Sequence, residues 1–160
     1  MDSELWKERS ILMFGEEAIN KLSKANVLIV GVGGVGAYAA EMLVRAGLGR
    51  LTLVDGDVVN DTNRNRHLIA LQSTIGRPKV EVLAERLLDI NPDVKLRLIQ
   101  EYLRDERTIE VLESEPYDYV IDAIDTLAPK VYLLHQAVER NIPIASSMGS
   151  GGKLDPTQVK

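Results

Sequence analysis

Apolar residues fall in short continuous runs and in helical stripes that alternate along the chain. Residues 26–30, Asn-Val-Leu-Ile-Val, read as the first strand, continuously apolar after Asn26, the pattern of a parallel strand buried on both faces. Over 35–46 the spacing turns helical, with Ala39, Met42, Leu43 and Ala46 three and four apart, and Gly47 and Gly49 end the helix. Residues 51–54 read as a second strand. Over 80–90, Val80, Leu83, Ala84, Leu87 and Leu88 make one helical stripe that Asn91-Pro92 stops. A weakly alternating strand is expected over 95–99, a short helix over 106–112 and a buried strand over 119–123. A helix over 129–140 turns Val131, Leu134 and Val138 inward, and Asn141 closes it. Residues 142–146 read as a strand, Gly149, Gly151 and Gly152 as a turn, and 153–160 as the start of one more strand. Ahead of these lies a polar helical lead-in, 1–25, with helices over 4–13 and 16–23 separated by Gly15. Leu5, Ile11, Leu12, Ile19 and Leu22 are its expected apolar contacts.

The segment 26–57 is the organising stretch. Gly31, Gly33 and Gly36 fit G-x-G-x-x-G between a strand and a helix, Gly34 adds a further glycine, and Asp55 follows 19 residues after Gly36. Glycines let the backbone approach a phosphate, and a helix N-terminus offers unpaired N–H groups and partial positive charge. With this loop in place, the β-α-β alternation predicts an α/β fold. It is a Rossmann-like, doubly wound, mainly parallel sheet with helices on both faces.

With 160 residues, the chain is expected to be a single nucleotide-binding domain. It ends at Val159-Lys160 without a helix to finish the last unit, so it is expected to be the front part of a longer protein. A net charge of −5 argues against a generally basic nucleic-acid-binding surface. With no cysteine, these residues hold no disulfide, zinc-thiolate site or thiol nucleophile. No apolar run reaches membrane-spanning length and the first residues are not a signal peptide, so no membrane association and a cytoplasmic location are expected.

The connection 56–78 is long for a compact domain, and such excursions are usually functional. Residues 63–80 carry Arg64, Arg66, Arg77 and Lys79 and no acid, a local positive cluster in an acidic chain. A triphosphate needs such cations, whereas the pyrophosphate of a nicotinamide dinucleotide is met mostly by backbone N–H groups. The bland alternative is a solvated basic loop. Lys79 opens a helix, the unfavourable end for a cation, which points to an anion nearby. Asp122 and Asp125 end the strand 119–123, where ligands of open α/β sheets gather, and a carboxylate there suits Mg²⁺. Equally, Asp125 or Thr126 suits a helix N-cap. Asp57 and Asp61 read as turn or cap residues, Arg9 as a surface arginine, His67 as a ligand contact or a structural residue, and His135 as a half-buried surface residue.

Taken in order, these motifs resemble the ThiF/MoeB/HesA family of adenylating enzymes, related to ubiquitin-activating enzymes, from Arg9 through Gln158. The motifs are the doubled-glycine loop (Gly31, Gly33, Gly34, Gly36), Asp55-Gly56-Asp57, Asn63 with Arg66, Gly76 with Lys79, and Asp125. The resemblance implies ATP as cosubstrate and Mg²⁺ as cofactor. Asp55 would bind the ribose, with Asp57 beside it in the nucleotide site. Asn63, Arg66 and Lys79 would contact the triphosphate, and Asp125 would hold Mg²⁺. Arg9 would reach the active site of the other subunit in a homodimer. His67 stands where the family usually has Gln. Within the family, the stretches 63–79, 120–130 and 140–159 resemble the branch that adenylates the threonylcarbamoyl carboxylate on a tRNA adenosine and lets it cyclise with loss of AMP. One alternative is activation of the C-terminal glycine of a ubiquitin-like sulfur carrier. Another, of a different class, is an NAD-binding oxidoreductase or sensor.

Overall fold

A computed structural model describes residues 5–148, Asp155 and Thr157. The turn expected at Gly149, Gly151 and Gly152 lies outside these, as does all but Asp155 and Thr157 of the strand expected over 153–160. In chain order the elements are α1 (Glu8–Phe14), α2 (Glu16–Leu22), β1 (Asn26–Val30), α3 (Gly36–Arg45), β2 (Arg50–Val54), α4 (Lys79–Ile90), β3 (Lys95–Ile99), α5 (Asp105–Glu113), β4 (Tyr119–Asp122), α6 (Leu127–Glu139) and β5 (Ile144–Ser146). Short 3-10 turns cover Leu5–Lys7, Asp61–Asn63 and Gln72–Thr74.

The five strands make one sheet in the order β3-β2-β1-β4-β5, and every pairing in it is parallel. The chain winds outward from β1 through β2 to β3, then returns to the other side of β1 as β4. Val27 therefore pairs with Leu51 on one side and Tyr119 on the other. All five residues of β1 are buried, and side chains alternate across the sheet. Val27 and Ile29 join Leu51, Leu53, Ala37, Ala40 and Val44 of α3, and Val80, Leu83 and Leu87 of α4 in one core. Leu28 and Val30 join Val111 and Leu112 of α5 and Leu133 of α6 in the other. Burial of each such Leu or Ile contributes about 1.5–3 kcal/mol, which is why β1 anchors both layers.

Over residues 16–148 the expected elements are present with ends shifted by one or two residues, and the first helix starts at Glu8 after a 3-10 turn, but several inward faces differ. In α3, Ala37, Ala40 and Val44 face the sheet, and Met42 is exposed. The small residues bring this helix close to β1, and Met42 would not fit there. In α4, Leu88 is exposed and Val82 is buried in its place. Helix α6 carries two candidate stripes one residue apart. Lys130, Leu133 and Ala137 are the buried ones, whereas Val131 and Val138 are exposed, because Lys130 finds a carboxylate under the helix. His135 is exposed and not half-buried. In the lead-in, Ile19 alone of the expected contacts is fully buried, and Leu5 and Leu12 face outward.

Helices α3 and α4 are clamped by Glu41. Its nearly buried carboxylate accepts hydrogen bonds from Arg86 of α4 at 2.6 Å and from Arg45 at 2.8 Å. The Arg86 hydrogen bond holds the Glu41 carboxyl below its usual value; burial opposes that and Arg45 reinforces it. A depressed carboxyl pKa contributes stability that is present above the unfolded-state value and lost as pH falls through the folded-state value. Glu41→Gln is therefore expected to lower stability at neutral pH by about 1–2 kcal/mol. The difference from wild type should close under acid. Urea titrations at pH 7 and at pH 3–4 check both halves.

Candidate active site

The strand order reverses between β1 and β4, and ligands of open α/β sheets bind beyond the strand C-termini at such a point. A cleft of about 660 Å³ opens there, floored by the ends of β1, β2 and β4. It brings together Gly31, Gly33, Gly34, Asp55, Asp57, Asn63, Arg66, Lys79 and Asp125, whereas Gly36, Arg9, Arg64, Arg77 and Asp122 are not part of its lining.

The glycines divide into two kinds. Gly31 has φ +95°, and a Cβ on it would stand 2.6 Å from the Ala123 carbonyl oxygen. A Cβ on Gly36 would strike the Gly31 carbonyl oxygen at 1.8 Å. These two let β1, α3 and the loop after β4 pack against one another. Gly33 and Gly34 face the cleft, where a Cβ would meet only ordinary contacts. Val35, the N-cap of α3, makes no side-chain cap, so first-turn N–H groups other than that of Ala37, which donates to the Gly33 carbonyl at 3.2 Å, can meet an anion.

Asp55 ties this loop down. One carboxylate oxygen accepts the Val32 N–H at 2.7 Å and the other the Asp57 N–H at 2.8 Å. Asp57 is more than the turn residue the sequence suggested. It pairs with Lys79 Nζ at 2.7 Å and accepts a hydrogen bond from the Tyr102 hydroxyl. Burial opposes the charge of Asp57, but the hydrogen bonds from Lys79 and Tyr102 outweigh it and hold the carboxyl below its usual value. Lys79 is only 5% exposed, and its backbone N–H also reaches the Asp57 carbonyl, at 3.0 Å. The anion expected beside this misplaced cation is thus a carboxylate of the chain itself.

The basic cluster splits. Arg66 and Lys79 line the cleft, while Arg64 pairs with Asp61 and Arg77 with Glu85 outside it. The acids that neutralise the outer pair lie just beyond the acid-free window of the sequence. Asn63 lines the cleft and accepts the Asn60 N–H at 3.0 Å, closing a capping box. Arg66 donates to the Thr62 carbonyl at 3.2 Å and the Asn65 side chain at 2.9 Å, and its exposed guanidinium can turn toward a ligand.

At the end of β4 the two candidate acids part ways. Asp122 is fully buried and bonded to Lys130, to Ser146 at 2.5 Å and to the Ile124 N–H at 3.0 Å, so it is closed to a metal. Asp125 is exposed in the cleft and makes no hydrogen bond among the described residues. Thr126 is the N-cap of α6 without a side-chain bond, so Asp125 does not serve as the cap. No group of three or more His, Asp or Glu side chains able to hold a metal occurs among the described residues. Arg9 lies exposed on α1, outside the cleft.

Several residues of the site escaped the sequence, three of which matter for its chemistry or shape. Tyr102 and Arg104 line the cleft from the segment after β3, and the rule that ligands gather past strand ends would have found them. Lys130, in contact with Ser147 of the cleft wall, showed itself only as a cation on an apolar helix stripe.

The ThiF family profile matches residues 7–160. A tRNA threonylcarbamoyladenosine dehydratase of Bacillus subtilis is 45% identical over 152 residues, 95% of this chain and 59% of the relative. The crystal structure of the E. coli tRNA N6-threonylcarbamoyladenosine dehydratase in complex with ATP superposes with a TM-score of 0.95 at 38% identity. It covers 99% of this chain, and the chain spans 65% of it. The same E. coli protein in complex with AMP superposes equally well, at 0.95. No described helix is long and apolar enough to cross a membrane.

Proposed function

Because the chain belongs to the ThiF family, we propose that it is the ATP-binding adenylation domain of a tRNA threonylcarbamoyladenosine dehydratase working in the cytoplasm. The observation that carries this is the convergence of Lys79 and Arg66 on a glycine-lined cleft at the sheet's switch point. The named relatives, over the share of their length that the chain spans, support it.

A carboxylate is a poor electrophile because oxide would have to leave. In the proposed reaction an oxygen of the threonylcarbamoyl carboxylate attacks the α-phosphorus of ATP. The bond to the bridging oxygen breaks, and pyrophosphate departs with its added charge. The carbamoyl group of the same modification then attacks the activated carbonyl carbon, AMP leaves, and the ring closes. The chain's task is to hold carboxylate and α-phosphate in line and to neutralise the departing charge. Asp55 would bind the ribose while bracing the loop, Gly33 and Gly34 would admit the phosphates, and Asn63, Arg66 and Lys79 would meet the triphosphate.

Mg²⁺, when bound, would offset phosphate charge. Asp125 fits it as a single exposed carboxylate, since this ion commonly takes one or two carboxylates together with substrate phosphates and water. Arg9 would act in trans across a homodimer. Its place outside its own cleft, on a helix that exposes Leu12, Met13 and Phe14, supports that role.

ATP–pyrophosphate exchange tests the proposal. Exchange is expected with threonylcarbamoylated tRNA and not with a ubiquitin-like sulfur carrier. The opposite preference would assign the chain to sulfur-carrier activation. Binding of NADH without binding of ATP would place it among dinucleotide-binding proteins.

A further inference from the structure

His67 lines the same cleft, with its ring against the two open glycines. A Cβ on Gly33 would stand 3.6 Å from its Cε1 and 3.7 Å from its Nε2, and one on Gly34 would stand 3.6 Å from its Cδ2. Its Nδ1 is buried and has no hydrogen-bond partner, the one such side-chain atom among the described residues. A histidine's tautomer and charge are normally set by the bond its second nitrogen makes. Here no such bond exists, so the ring answers to the charges around it.

Those charges come from each segment around the ring. Lys79 of α4 and Arg66 of the same loop are cationic, and Asp55 and Asp57, after β2, are anionic. Both carboxylates are already engaged, Asp55 by two backbone N–H groups and Asp57 by Lys79 and Tyr102. Burial, then Lys79 and Arg66, hold the imidazole below its ordinary value, against the pull of the two acids. A polyphosphate laid on Gly33 and Gly34 would offset both cations and add negative charge beside the ring.

Resting on the nucleotide-binding reading of this cleft, we propose that His67 takes up a proton when a nucleotide's phosphates bind, so that binding is coupled to pH. Proton uptake on binding means tighter binding at lower pH. The dissociation constant rises by up to about tenfold per pH unit between the free and bound midpoints of His67, and is flat outside that window.

The chain has two histidines, so proton NMR can follow both Cε1–H signals, with His135→Gln assigning them. His135 lies exposed on α6, outside the cleft lining, and is the internal control. In the free protein His67 is expected to titrate below the ordinary histidine range. With saturating Mg²⁺ and the α,β-methylene analogue of ATP, whose α–β bridge cannot be cleaved, its midpoint should rise by at least about one pH unit, with His135 unmoved. Saturable calorimetric binding of the analogue with an unchanged His67 midpoint overturns the inference and leaves the nucleotide reading intact. Absence of analogue binding across pH 5.5–8.5 overturns that reading and the inference with it.

Discussion

Lys79→Ala is expected to lower substrate-dependent pyrophosphate exchange by about 10²–10³-fold, the scale on which loss of one preorganised electrostatic stabiliser is felt. Lys79 is the buried cation of the cleft, at the head of α4 and fixed by Asp57. In the proposed reaction its position would be set before nucleotide arrives, so little reorganisation would remain when charge shifts onto the pyrophosphate. Lys79→Met keeps the apolar stem in its buried channel and removes only the charge, so it should lose nearly as much rate with less effect on folding. The loss should fall on kcat more than on KM for ATP if the lysine acts mainly on the departing group. Exchange within threefold of wild type in both variants would remove Lys79 from the reaction.

Lys130→Met is expected to destabilise the fold by about 3–5 kcal/mol, the cost of leaving one member of a buried ion pair alone. Asp122 would keep its bonds to Ser146 and the Ile124 N–H but lose its counter-ion inside the protein. Adding Asp122→Asn removes the stranded charge, so the double variant should be more stable than Lys130→Met alone. Urea titration of wild type, both single variants and the double variant measures the coupling. A Lys130→Met curve within 1 kcal/mol of wild type would show that the pair is dispensable. The same lysine reaches the Ser147 carbonyl at 2.9 Å, so the loss should also loosen that wall of the cleft.

Local signals carried most of the fold. Continuous apolar runs gave the strands, since the central strands are buried on both faces. The glycine loop and Asp55 were legible because their spacing is fixed by the chain's own geometry, a tight turn and a strand later. Partnerships between distant residues were not legible. Asp57 and Lys79 lie 22 residues apart and meet only because the connection 56–78 folds back, with Val58 bridging to Pro78. Arg64 and Arg77 looked equal to Arg66 in sequence and were set apart by Asp61 and Glu85. In α6 the periodicity fitted two faces, and a buried carboxylate under one of them decided between them. Helix α1 looked like part of the packing, yet it exposes Leu12, Met13 and Phe14; intrachain apolar pattern does not say which surface a stripe meets.

The Asp57–Lys79 pair has a bearing on selectivity. Before nucleotide arrives, the buried cation already has an anion 2.7 Å away. A small competitor such as inorganic phosphate or chloride would therefore trade one anionic neighbour for another and gain little. In the proposed complex a triphosphate would bring several charges to Lys79, Arg66 and the helix N-terminus, and so would displace or share the carboxylate where a lone anion would not. On the proposed nucleotide-binding reading, the aspartate would act as a placeholder that screens the lysine from small anions and reserves it for a ligand long enough to span the cleft.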